Sequence, residues 1–101
     1  MKKEYIILNE IKITARNKRE DQLARVIRFQ VDDILEDLVE GDRLGKRLCR
    51  DMWSHWRIRQ IAGELDACYF MGMVKNSPSD AAIWELINNE YWERMGWEVT
   101  R

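Results

Sequence analysis

The longest periodic stretch of the chain begins after Thr14 or Asn17 and runs to about Val39, with Leu23, Val26, Ile27, Val31, Ile34, Leu35 and Leu38 at steps of three and four residues. This spacing predicts one amphipathic helix with a single apolar stripe. Gly41 follows the last periodic residue, where a left-handed glycine would end the helix. A second helical region starts near Arg43, and the phase of its apolar residues predicts two pieces. Leu44, Leu48, Met52 and Trp56 mark one stripe, and Ile58, Ile61, Ala62, Leu65, Cys68, Tyr69, Gly72 and Met73 mark another, rotated away from the first. A break around residues 53–55 with Ser54 as the cap would reconcile them, as would one helix buried on different sides along its length.

The last helix has the clearest start. Ser77-Pro78-Ser79-Asp80 offers a capping serine, a proline at the first helical position and an acid in the first turn. Ile83, Trp84, Ile87, Tyr91 and Met95 share one broad face, and Gly96 is the stop. Residues 97–100 then alternate like a short strand, which would pair with 10–13, where Ile11 and Ile13 also alternate. The expected fold is all-α: a three- to four-helix bundle with a short terminal β pairing, forming one helical domain over residues 1–101.

Composition is compatible with this reading. The 101 residues are 46% apolar and 35% charged with one proline and five glycines, so long helices are permitted almost everywhere. The apolar run Tyr5-Ile6-Ile7-Leu8 is too short for an export signal, and no stretch has the length of a membrane span. Two cysteines, Cys49 and Cys68, in a chain able to bury a core fit reduced thiols better than a disulfide framework. The expectation is a cytoplasmic protein that does not enter a membrane.

Net charge is −1, but its sign is segregated: residues 32–42 carry six acids and no base, and residues 43–59 carry six bases against Asp51. One reading pairs the acidic end of the first helix (Asp32, Asp33, Glu36, Asp37, Glu40) with the basic start of the second, inside the fold. The alternative makes Arg43, Lys46, Arg47, Arg50, Arg57 and Arg59 a phosphate-facing surface for a nucleic acid. The lack of an overall basic excess favours the first.

Two motif comparisons fall short. Ile61-Ala62, Leu65 and Ala67 match the first half of the helix-turn-helix pattern, but Asp66 stands at the turn glycine. The recognition positions fall on Tyr69, Phe70 and Met71, which cannot supply the Arg, Asn or Gln contacts that distinguish base pairs in the major groove. Asp37-x-x-Glu40 with Glu64 and Asp66 resembles the magnesium-binding acid pairs of the all-α nucleotide pyrophosphatases. Glu64 and Asp66, two residues apart, point to different sides of a helix, so the acids read as a solvated face. His55 is the only histidine, its spacing to Cys49 and Cys68 suits neither a nucleophile–base pair nor a zinc site, and no glycine-rich phosphate loop is present. No catalytic residue, metal or cofactor is assigned, and the chain reads as a non-enzyme.

The aromatic content points to binding. Five tryptophans exceed the needs of a small core, and tryptophan and tyrosine are enriched at binding hot spots. Trp56 and Trp84 lie on or near apolar stripes, whereas Phe29, Trp53 and Trp92 lie off them. Phe70, Met71 and Val74 sit opposite the main stripe, making 67–74 apolar all round, as in a helix buried centrally or at an interface. The expected function is a protein-binding or self-assembling (homo-oligomer) helical module, an adaptor, inhibitor or assembly subunit, contacting its partner through Phe29, Trp53, Phe70, Met71, Trp92 and Trp97. Its compact, tryptophan-rich, motif-free character suits a phage or mobile-element accessory protein. The second reading is a nucleic-acid-binding accessory protein using the basic 43–59 segment.

Overall fold

The computed structural model describes residues 2–8, 10–43 and 52–96, the side chains of 41–43 and 52–54 excepted. The chain begins with a hairpin. Strands β1 (Lys3–Leu8) and β2 (Ile11–Ala15) run antiparallel with Tyr5 opposite Ile13 and Leu8 opposite Ile11. A register shift between Ile6 and Leu8 turns both Ile7 and Leu8 inward, so the apolar run 5–8 is a bulged strand rather than a clean alternation. The expected pairing of 10–13 is corrected accordingly: its partner is 3–8, and residues 97–101 lie outside the described residues.

Helix α1 (Lys18–Arg43) starts at Asn17, whose side-chain oxygen accepts the backbone N–H of Glu20 at 2.9 Å, with Glu20 and Asp21 in the positive first turn. At about 1.5 Å per residue its 26 residues account for most of the molecule's 43 Å long axis. The buried stripe is Ala24, Ile27, Val31, Ile34, Leu35 and Leu38. Val26 is not part of it: one residue before Ile27 it falls on the flank of the helix and is exposed. Gly41 does not end the helix, which continues through it to Arg43.

Helix α2 (Met52–Phe70) is continuous from Met52, so residues 53–55 contain no break, and Ser54 lies inside the helix rather than at its cap. Of the stripe expected before it, Leu44 and Leu48 lie outside the described residues. The second stripe holds in part: Ile58, Ile61, Leu65 and Cys68 are buried and Ala62 partly so, whereas Tyr69, one residue past Cys68, falls on the flank of the helix and is exposed. The helix ends at Phe70 because Gly72 takes φ +76°, with its N–H on the Tyr69 carbonyl (3.0 Å) and that of Met73 on the Cys68 carbonyl (2.9 Å). This is a Schellman ending, with buried Met73 following the glycine as its apolar companion. Gly72 and Met73 therefore terminate the helix instead of extending its stripe.

Helix α3 (Asp80–Arg94) is capped by Ser79, whose hydroxyl accepts the Ala82 N–H at 3.2 Å. The capping serine is thus Ser79, and Ser77 and Pro78 precede the helix. Gly96, at φ +75°, follows the last turn and stops it as expected. Ile83, Ile87 and Tyr91 are buried, with Trp84 and Met95 partly so. Each helix packs against the other two, the hairpin packs on α1, and β1 also meets α3. The chain is thus mostly helical with an N-terminal hairpin, and no helix among the described residues is long and apolar enough to cross a membrane.

Candidate protein-interaction surface

Buried Ile58, Ile61 and Leu65 fix the inward face of α2, and the helical repeat then dictates what faces out. Trp56, Arg59, Gln60, Gly63, Asp66, Ala67 and Phe70 occupy the opposite side and are all exposed. Trp56 had been expected near an apolar stripe. It is 71% exposed because in one continuous helix it lies nearly opposite Ile58 and Ile61. Phe70 is 79% exposed at the last turn, and its ring meets Tyr69 edge to face with centroids 5.7 Å apart. Met71, in the turn after the helix, is also exposed. The helix ends before it, so 67–74 is not an apolar-all-round helix: Met73 is buried and Val74 packs partly against the core.

Phe29 is 71% exposed on the outer side of α1, at helical spacing from Arg25, Asp32, Asp33 and Glu36. Trp92 is exposed on the outer side of α3. The fold therefore distributes the expected contacts. Phe70 and Met71 share one end of α2, Phe29 and Trp92 stand on other helices, the side chain of Trp53 is outside the description, and Trp97 lies outside the described residues. Exposed Ile6, on the outer face of β1, was missed, because its outward position follows only once the hairpin is known.

The surface is held by polar ties across the helices. Arg57, its side chain only 14% exposed, donates to Asp37 at 2.9 Å and to Asp33, and with Gln30 earlier in α1 meeting Glu64 later in α2 the two helices run antiparallel. Gln30 of α1 donates through its amide nitrogen to Glu64 of α2 at 3.4 Å, leaving the Gln30 amide oxygen and the other Glu64 carboxylate oxygen buried without a partner among the described residues. Arg16 makes two contacts to the Glu20 carboxylate at 2.9 Å and donates to the Met71 carbonyl at 2.5 Å. Hydrogen bonds from Arg16 hold the Glu20 carboxyl below the usual range. Burial, aided by Glu64 and Glu20, pushes the Cys68 thiol up to about 11.

The basic segment is only partly in view. Lys46, Arg47 and Arg50 lie outside the described residues, as does the side chain of Arg43. Arg57 is engaged by two aspartates, and Arg59 stays exposed with Asp80 at 3.9 Å. The charges of α1 and α2 thus meet inside the fold at Arg57. His55 is exposed on α2. Glu64 faces α1, whereas Asp66 accepts the Ser77 hydroxyl at 2.7 Å, and among the described residues no three histidine, cysteine or acidic side chains come together as a metal-ligand set. The helix-turn-helix comparison also lapses, since α2 passes through Asp66 without a turn. No protein-family model matches the chain, and neither a curated protein nor a solved structure matches it.

Proposed function

We propose that the chain is a non-enzymatic, cytoplasmic helical-bundle module that binds another protein or itself through its exposed apolar side chains. The observation that carries this reading is the coexistence of a filled core with Phe29, Trp56 and Phe70 each more than two-thirds exposed. A small chain that already buries Ile27, Leu35, Leu65, Ile87 and Tyr91 does not need those rings for its own stability. Aromatic side chains left in water at fixed helical positions are suited to anchoring in a partner's pocket. The nucleic-acid reading draws less support, because the Arg57 guanidinium is occupied by Asp33 and Asp37.

Fluorescence anisotropy of labelled chain titrated with unlabelled chain, together with capture of proteins by the immobilised chain, tests the proposal. Phe29→Glu and Phe70→Glu are expected to keep the fold and to weaken at least one of the two binding signals at least tenfold. Undiminished binding by both variants, or the absence of any binding by the native chain, overturns it.

A further inference from the structure

The outer face of α2 has a property that the other exposed surfaces lack: its features are mirrored about Gly63. Trp56 stands seven residues before this glycine and Phe70 seven after, about two helical turns each way, so both rings share the side that carries Gly63. Arg59 and Gln60 precede the glycine on that side, and Asp66 and Ala67 follow it. A methyl group built on Gly63 would meet nothing within 4 Å. Among the described residues nothing therefore requires glycine there, although glycine is unfavourable in a helix interior. Phe29, by contrast, stands among charged positions without such symmetry.

We infer that α2 is the surface through which two copies of this chain associate, antiparallel, about a two-fold axis at Gly63. The inference rests on the protein-binding reading above and names the partner and the contact. In such an isologous pair, a residue before Gly63 faces its mirror position after Gly63 in the other copy. Trp56 then lies against the second copy's Phe70, and the reverse contact forms at the other end. Arg59, whose mirror position is Ala67, comes one residue from the second copy's Asp66 on the same flank of the pair, so the charges are complementary. A parallel pair would set Arg59 against Arg59 and Asp66 against Asp66. At the crossing point the missing Cβ of Gly63 lets the two backbones approach closely. The two rings expose on the order of 300 Å² per protomer, well short of the roughly 800 Å² per partner of a standard stable interface. The association is accordingly reversible and concentration-dependent.

Sedimentation velocity on the full chain over about a hundredfold range of concentration reads this directly. The native chain is expected to shift from its 12.2 kDa monomer toward a dimer as concentration rises. Gly63→Gln is expected to weaken the dimer at least tenfold while keeping or raising the melting temperature, because a Cβ at that exposed position meets nothing within 4 Å among the described residues and any residue other than glycine or proline favours the helix. Orientation is read with one added cysteine in a Cys49→Ser background, where the remaining Cys68 is buried: Trp56→Cys and Phe70→Cys chains should crosslink when mixed and much less when either is alone. A chain that stays monomeric throughout overturns the inference and leaves the binding of a different protein to be decided by the capture assay. A dimer that Gly63→Gln leaves intact overturns it while supporting self-association through another face, and one that crosslinks through Trp56→Cys alone overturns the antiparallel arrangement in favour of a parallel one.

Discussion

The guanidinium of Arg16 reaches across the fold to the backbone carbonyl of Met71 at 2.5 Å, tying the start of α1 to the end of α2. The contact places a cation at the negative end of α2, where the last carbonyls lack helical partners, and Glu20 holds that cation in place. The segment that positions Phe70 and Met71 is thus anchored from below by a charged clamp, while β2 holds Met73, two residues on, through the Thr14 N–H to its carbonyl at 2.8 Å.

The clamp makes stability depend on acid. The Glu20 carboxyl is held below its ordinary value of 4.5 by Arg16, so the folded state favours the ionised form. Its contribution is complete above 4.5 and is lost as pH falls through the lowered value. Urea melts from about pH 7 down to pH 3 should show this loss in the native chain, and Glu20→Gln should be less stable at neutral pH and flatter in its response to acid. An identical pH profile in the two proteins would mean that the pair contributes nothing.

Cys68 is expected to be inert in the folded protein, because only the thiolate reacts and burial raises the thiol from 9.0 to about 11. In a Cys49→Ser background, a thiol reagent at about pH 8 should label Cys68 only after denaturant is added. The raised value also has a consequence for folding: stability should decline as pH rises past 9.0, with the loss complete above about 11. Rapid native labelling would contradict the burial.

Two substitutions on α2 should differ sharply in cost. Leu65 is fully buried, and Leu65→Ala should destabilise the chain by about 2–5 kcal/mol in urea melts. Phe70 is mostly in water, and Phe70→Ala should cost less than about 1 kcal/mol under the same conditions. Equal costs would place Phe70 in the core.

Ser79→Ala removes the oxygen that accepts the Ala82 N–H and should cost about 0.5–2 kcal/mol, whereas Ser77→Ala should have a smaller effect on the start of α3. A larger loss from Ser77→Ala would move the cap to that residue.

The inward faces of the helices were legible because each is written as a repeat of three and four residues that a continuous helix preserves: Ile27 to Leu38, Ile58 to Cys68 and Ile83 to Tyr91. Phe29, Phe70 and Trp92 were legible as exposed for the same reason, being off those repeats. Trp56 was misplaced because the apolar pattern before it belongs to a different phase from the one that governs α2. The hairpin was hidden by its own bulge, which puts Ile7 and Leu8 on one side and erases the alternation that marks a strand. The Arg16 clamp joins residues 55 apart, and only Asn17-x-x-Glu20, a capping pattern at the start of α1, hinted at half of it. Chain-distant contacts leave no periodic trace.

The central claim is that the exposed rings serve association and not the fold, and a thermal melt of the triple variant Phe29→Glu, Trp56→Glu, Phe70→Glu tests it most directly. At a concentration where the native chain is dissociated, the variant should melt cooperatively within about 5–10 °C of it, as expected for surface substitutions in a chain of this size. A variant without a cooperative transition, or one melting tens of degrees lower, would show that these side chains hold the protein together and would contradict the account.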